Sequence, residues 1–291
     1  MKASASVSVS EQLAWESRWA KPAAASAFLS VILTVAASIY VSSSVDAQPG
    51  ADETDALLAL VDAQSGVFIT GAVISAAGKL FLIGLLWYLY RAARFRRPDL
   101  NPAALIVAIL GPVLLAVADV LGQLNLVDKA GDFVATAGDF ANQEAADEAA
   151  DEVVADRPAV LQSLGLGGAL ALAFGTVMIS QAAMRAGLLT RFLGILGIVV
   201  GVLYVLGTLF PLGTDLIRLF WLIAVGLIVL GWWPGGRGPA WASGKEDPWL
   251  SAAQRYALEQ QAEQEAKGSA NGGGDGDEPT RSRSSRKRKR R

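Results

Sequence analysis

The sequence predicts an all-α fold: a polytopic membrane bundle of six transmembrane helices, with both termini in the cytoplasm. Three observations support this prediction. Hydrophobic residues make up 53% of the chain and are concentrated in blocks that are long enough to cross a bilayer. Basic residues gather in the loops at one end of these blocks, and acidic residues gather at the other end. The C-terminal tail is basic, which agrees with a cytoplasmic C-terminus. The biased composition of the terminal segments also predicts that they are disordered.

The segment at residues 66–122 determines the predicted orientation. Its two apolar runs are joined by a short loop that carries Arg91, Arg94, Arg96 and Arg97. Because basic residues in short loops are retained on the cytoplasmic side, we place this loop in the cytoplasm. The orientation of every other segment follows from this assignment.

The first span is predicted at residues 23–41. It is preceded by a cytoplasmic segment, residues 1–21, whose tryptophan-containing stretch at 11–21 is typical of an interfacial helix. The span also resembles a signal peptide, because Val45-Asp46-Ala47 fits the small-residue rule before a cleavage point. We favour an uncleaved anchor, since the apolar run is longer than the usual signal-peptide core of about 7–15 residues.

The transmembrane domain is predicted at residues 22–234 and contains an acidic outer loop at residues 123–160. Acidic residues recur at helical spacing from 144 to 156, which predicts a surface helix within this loop. These acids could concentrate a divalent cation, but a solvated helix face explains them better, because no metal-binding loop accompanies them. The five spans after the first are predicted at residues 66–90, 103–122, 161–183, 192–210 and 216–233.

The chain beyond the last span is predicted to lie in the cytoplasm. Residues 235–267 contain a juxtamembrane helix that begins near Asp247 and Pro248, a favourable pair for a helix start. Residues 268–291 form a disordered polybasic tail, in which each base contributes about 1 kcal/mol to binding anionic lipid headgroups. We expect no specific nucleic-acid binding, because aromatic residues are not interleaved with the bases. The predicted lipid-contacting residues are Arg286, Lys287, Arg288, Lys289, Arg290 and Arg291.

The composition excludes several kinds of catalytic site. The chain has no histidine and no cysteine, which rules out disulfides, thiolate nucleophiles, Cys/His zinc sites and imidazole-based triads. No nucleotide-binding or nucleophile-elbow motif occurs in a strand-to-helix setting. We therefore expect no enzyme activity, no catalytic residue, no bound metal and no cofactor.

Three ionisable residues within the predicted spans form a candidate site: Lys79, Asp119 and Arg218. Lys79 lies about 16 Å from the cytoplasmic end of its span, near the middle of a ~30 Å apolar core. An unpaired ammonium there costs at least about 2.5 kcal/mol, so we expect a partner or a water-filled pocket. Asp119 is the leading partner, although its backbone lies about 8 Å farther out than that of Lys79. Side chains lean toward the N-terminus of their helix, so on these antiparallel helices Lys79 leans outward and Asp119 leans inward, which closes the gap. Arg218 is a rival partner for Asp119, and a cluster of all three is the preferred hypothesis.

This cluster leaves two functional hypotheses open. A neutralised pair can hold helices together, which suits a noncatalytic scaffold or accessory protein that acts through its cytoplasmic helix and basic tail. Intramembrane charges also mark ion, proton, anion or ligand pathways. The alternative is therefore a transporter or channel for a small solute or ion, centred on Lys79 and Asp119. The expected partners are the lipid bilayer, anionic headgroups at the tail and, as an option left open, a protein within the membrane.

Two stretches carry a resemblance to a known family. They are LLWYLYRAARF at residues 85–95 and AGLLTRFLGILGIVVGVLYVLG at residues 186–207. Together with the six-span plan, they make the chain similar to an uncharacterised family of bacterial integral membrane proteins, classed as a domain of unknown function. The resemblance covers residues 23–233 and implies a multi-pass protein of the bacterial plasma membrane. It brings no functional residue with it.

Overall fold

The computed structural model describes residues 8–45, 50, 53–136, 140, 142–209 and 215–249, together with 256, 257, 260, 261, 263 and 264. The chain divides into two units, Met1–Trp249 and Leu250–Arg291. The described residues of the second unit are helical and exposed. The juxtamembrane helix was predicted to begin near Asp247, but residues 247–249 are not helical. Residues 250–255, which follow them, lie outside the described residues. The lipid-contacting residues 286–291 and most of the Val45-Asp46-Ala47 cleavage site also lie outside them.

The described part of the first unit consists of nine helices and contains no strand. Five of them, α1, α3, α4, α6 and α7, are long and apolar enough to cross a membrane, which fits a multi-pass membrane protein. The all-helical membrane fold is therefore confirmed. The helices are α1 (Val9–Ser44), α2 (Thr54–Ala63), α3 (Ser65–Arg96), α4 (Ala103–Thr136), α5 (Gln143–Ala155), α6 (Ala159–Arg185), α7 (Arg191–Leu209), α8 (Asp215–Leu230) and α9 (Ala240–Ser243).

Six helices pack in a ring, and α3 and α6 also contact each other across it. In order around it, α1 packs on α3, α3 on α4, α4 on α6, α6 on α7, α7 on α8, and α8 on α1. Glycines bring α4 and α6 together: a Cβ on Gly111 would lie 2.6 Å from the Cα of Leu172, and a Cβ on Gly175 would lie 2.6 Å from the Cα of Ala108. Small residues at helix interfaces allow the backbones to approach closely, as they do here.

Helix α1 joins two segments that the sequence pattern separates. Ser8 and Glu11 form a capping box that starts the helix, and the helix continues through Pro22 to Ser44. Gln12 and Glu16 are buried. The stretch expected as an interfacial helix is therefore continuous with the first span, because one of its faces packs into the core.

A small cap lies at one end of the ring, which we call the acidic end. It consists of α2, α5 and the C-terminal half of α4, and its core contains Leu58, Val61, Ala130, Phe133 and Ala150. The acidic spacing predicts a helix at 144–156, and α5 spans Gln143–Ala155 with Asn142 as its cap. Two features differ from the predicted spans: α4 continues into the predicted outer loop, and α2 forms between the first and second predicted spans, where no helix was predicted. Both helices are supported by the core of the cap.

Candidate functional site

Lys79 and Asp119 form an ion pair between neighbouring helices of the ring. Lys79 lies near the middle of α3, and Asp119 lies near the middle of α4. The ammonium of Lys79 also donates to Ser75 Oγ at 3.0 Å, and Ser75 Oγ donates to Asp119 Oδ2 at 3.1 Å. The three side chains therefore close a triangle of polar contacts, which holds both charges at one level of the ring.

The ion pair borders a cavity of about 570 Å³ inside the ring. All six ring helices contribute to its wall, which carries hydroxyl groups from Thr34, Ser75 and Tyr204 between leucine side chains. Small-molecule sites in proteins commonly measure about 300–1,000 Å³. The cavity therefore has the size and the mixed polarity of a site for a small solute.

Arg218 lines the same cavity but forms its ion pair with Asp215, one turn away on α8. Its guanidinium lies 5.2 Å from the centre of the Tyr204 ring, within cation–π range. Arg218 and Asp119 both line a second cavity of about 400 Å³, but no hydrogen bond joins them in the described part of the chain. The three residues singled out in the sequence are thus gathered around adjoining cavities, and two of them are directly paired.

A third cavity of about 640 Å³ extends from the ion pair toward the acidic end. Asp119 and Gln123 line both the second and the third cavity, so the two spaces adjoin. At the far side, Lys129 donates to the carboxylate of Asp156 at 2.7 Å. A row of spaces therefore leads from the middle of the ring to the cap.

The central ion pair is open to these spaces. The side chain of Lys79 is 27% exposed and that of Asp119 is 29% exposed. Charges in the middle of a membrane helix are expensive unless they are paired or face water. This pair satisfies both conditions, since the two groups neutralise each other and also face a cavity.

A second ion pair joins Arg96 of α3 to Glu16 of α1, and it is sealed. The two side chains are 0% and 3% exposed. Each of the five N–H groups of Arg96 has a partner: the guanidinium donates to both carboxylate oxygens of Glu16, to Ala92 O and, at 3.2 and 2.7 Å, to Ala240 O. A fully satisfied, buried pair of this kind ties α1, α3 and α9 together.

Aromatic rings surround this sealed pair. Tyr88 stacks between Trp15 and Trp241, with ring centroids 5.5 and 5.8 Å away, and its hydroxyl donates to Glu16 O at 3.1 Å. Sequence reasoning missed the pair because it assigned Arg96 to a solvated loop. The one available signal was Glu16 itself, which shares a helical face with Gln12 and Ala20 if the helix is continuous.

Two acidic residues of the cap, Asp55 and Asp147, have shifted pKa values. Gln143 Nε2 donates to the carboxylate of Asp55 at 2.6 Å, and this hydrogen bond lowers the pKa of Asp55. A hydrogen bond with Asp55 in turn raises the pKa of Asp147. Across all the residues that the structure describes, no group of three or more acidic side chains is arranged to hold a metal ion.

A comparison with known protein families matches residues 23–233 to the family described as Domain of unknown function (DUF4386). The match runs from α1 to just beyond α8 and includes Lys79, Asp119 and Arg218, whereas Glu16 precedes it. No curated protein and no solved structure matches the chain. The family match confirms the resemblance seen in the sequence. The chain therefore belongs to the DUF4386 family.

Proposed function

We propose that this protein binds a small solute in the ring cavity and moves it across the membrane, with Lys79, Asp119 and Arg218 as the charged groups of the site. The observation that carries this proposal is the exposure of the Lys79–Asp119 pair to a cavity in the middle of the ring. The row of cavities that leads to the cap provides one half of a path.

The sealed pair of the same protein shows what a structural ion pair looks like here. Arg96 and Glu16 exclude solvent almost completely and have a full set of hydrogen bonds. Lys79 and Asp119 are instead each more than a quarter exposed. If the central pair served only to hold helices together, closer packing would remove the cavity beside it. An open charged pair supports a binding role.

We propose that the chain crosses the plasma membrane six times and that both termini lie on its cytoplasmic side. Helix α8 has 16 residues and is about 24 Å long, but it completes the ring by packing on α1 and α7. The positive-inside tendency supports the orientation, because six arginines lie in or beside the short connections at the end opposite the cap. These are Arg91, Arg94, Arg96, Arg97, Arg185 and Arg191.

The protein acts without catalysis in this proposal, and the scaffold hypothesis stays a prediction. That hypothesis places a protein partner and anionic headgroups on residues 235–291, most of which lie outside the described part. Removal of residues 250–291 separates the two hypotheses. A transporter keeps its flux without them, whereas a scaffold loses a co-purifying partner.

The test is solute flux into vesicles that contain the purified full-length protein. Osmotic swelling is followed with potassium chloride, glycerol and glycine betaine, for wild type, Lys79→Met and the matched variant Arg97→Gln. Arg97 pairs with Asp99 and Glu246 at the far end of α3, away from the cavity. We expect wild-type flux of at least one solute, a loss of about tenfold in Lys79→Met, equivalent to ~1.4 kcal/mol, and no change in Arg97→Gln. Wild-type flux equal to that of empty vesicles, or undiminished flux in Lys79→Met, contradicts the proposal.

A further inference from the structure

We propose that the solute is a small zwitterion, whose anionic group binds near Lys79 and Arg218 and whose cationic group binds near Asp119 and Asp215. This inference rests on the proposed function, because it names the class of solute for the same cavity. It is carried by the balance of charge around the two adjoining cavities at the centre of the ring.

Four charged side chains line these two cavities in the described part of the chain: Lys79, Arg218, Asp119 and Asp215. They form two ion pairs, Lys79 with Asp119 and Arg218 with Asp215. The first pair belongs to α3 and α4, and the second belongs to α8, which lies on the other side of α1 in the ring. The site is therefore electrically neutral, with a cation and an anion on each of two different walls.

A simple ion fits this arrangement poorly. An inorganic anion that approached Lys79 or Arg218 would meet the carboxylate already paired with each of them. An inorganic cation would meet the two bases in the same way. Coulomb interactions are stronger in a partly desolvated cavity than in bulk water. Repulsion by the acids or the bases would therefore cancel much of the attraction that either ion gained from the opposite charges.

A zwitterion removes this conflict. Its anionic end gives a base a partner while its cationic end gives an acid a partner, so that no charge inside the membrane is left uncompensated. Protein and solute together stay neutral, which also avoids moving net charge against the membrane potential. The leucine side chains of the wall, among them Leu82 and Leu222, suit the carbon skeleton between the two ends.

Two kinds of ligand carry such a pair of charges: a free zwitterionic solute and the headgroup of a zwitterionic phospholipid. The test therefore measures the melting temperature of the purified full-length protein with probes of both kinds at equal concentration. The free probes are glycine, β-alanine and glycine betaine, and the headgroup probe is glycerophosphoethanolamine. Acetate and tetramethylammonium serve as controls, because each carries only one of the two charges.

We expect at least one zwitterion to raise the melting temperature by about 3 °C or more, and we expect acetate and tetramethylammonium to have no effect. The rise should vanish in Arg218→Gln and persist in Arg97→Gln. A response to a free probe indicates a solute, whereas a response to glycerophosphoethanolamine alone indicates a lipid headgroup.

Two results overturn the inference. One is an equal rise with acetate or tetramethylammonium, which would mean that the site selects a simple ion. The other is the lack of any response to all four zwitterions. Vesicle flux that depends on Lys79 tests the proposed function separately. If the protein transports only a simple ion, the zwitterion inference is wrong but the proposed function stands. If no flux depends on Lys79, the proposed function is wrong as well.

Discussion

Lys79 and Arg96 project from the same helix, and each pairs with a carboxylate on a neighbouring helix, but only Arg96 is sealed from solvent. The guanidinium of Arg96 uses all of its donors within the protein. The ammonium of Lys79 faces a cavity. The same helix thus carries one charge that holds the fold together and one that is accessible to a solute.

Arg96→Met should destabilise the protein strongly. It leaves the carboxylate of Glu16 buried without a cation and removes the donors to Ala240 O, and breaking a buried pair in this way typically costs about 3–5 kcal/mol. Unfolding of the detergent-solubilised protein measures the change. Arg97→Gln is the control, because its partners are exposed and its effect should stay within about 0.5 kcal/mol. Similar losses in both variants would show that the sealed pair is not structural.

The central pair should contribute less to stability than the sealed pair. Lys79→Met, Asp119→Asn and the double variant form a thermodynamic cycle that isolates their coupling. Because both groups are partly exposed, we expect a coupling of about 1 kcal/mol or less. A coupling as large as the loss caused by Arg96→Met would make the central pair a structural element and weaken the proposed function.

Gly111→Ala should separate α4 from α6. The new Cβ would lie 2.6 Å from the Cα of Leu172, and a backbone neighbour cannot turn aside, so we expect a loss of about 1–3 kcal/mol. Gly122→Ala on the same helix is the control, because nothing lies within 4 Å of its Cβ. Its stability should hold or rise by about 0.5–1 kcal/mol, since alanine favours the helix. Equal melting temperatures for the two variants would argue against this close packing.

The contact between α2 and α5 should depend on pH. The pKa of Asp55 is lowered and that of Asp147 is raised from an ordinary value of 3.8. At a pH between the two shifted pKa values, Asp55 is charged and Asp147 is protonated. As pH rises through the raised pKa of Asp147, both carboxylates become charged and repel each other. As pH falls through the lowered pKa of Asp55, the charge-assisted hydrogen bond from Gln143 is lost. The contact should therefore be strongest between the lowered pKa of Asp55 and the raised pKa of Asp147.

Amide hydrogen exchange in α5, corrected for the intrinsic effect of pH, tests this dependence. Protection should decrease from about pH 4 to pH 7 in wild type. Asp147→Asn keeps a hydrogen-bonding group but does not titrate, so protection in this variant should hardly change over the same range. A decrease that persists in Asp147→Asn would assign the effect to other groups.

The sequence was sufficient to predict the helical membrane fold and the pairing of Lys79 with Asp119. Both follow from local rules: the length of apolar runs, and the lean of side chains on antiparallel helices. The contact of Arg218 with Asp119 did not appear, because Asp215 lies one turn away on the same helix and provides a closer partner.

Other features depend on contacts between distant parts of the chain. Glu16 and Arg96 lie 80 residues apart, and each resembles an ordinary surface charge when only its neighbours in sequence are considered. Helix α2 forms because Leu58 and Val61 pack against Phe133 of α4, which no local pattern reveals. The cavity itself arises from six helices together, so the sequence indicated its charges but not its volume.

We expect water to reach the Lys79–Asp119 pair in the middle of the membrane. The chain has no cysteine, so a single introduced thiol can be labelled without background. Ser75→Cys places a thiol in the cavity, and Val73→Cys places one at similar depth on the outer surface of α3, where Val73 is 49% exposed.

Reaction of these two variants with a membrane-impermeant maleimide in vesicles is the most direct test. The cysteine thiolate attacks the maleimide, and the thiolate forms only where water is present. We expect Ser75→Cys to be labelled at least about tenfold faster than Val73→Cys. Equally slow labelling of both thiols would contradict it, because the cavity would then be closed to water.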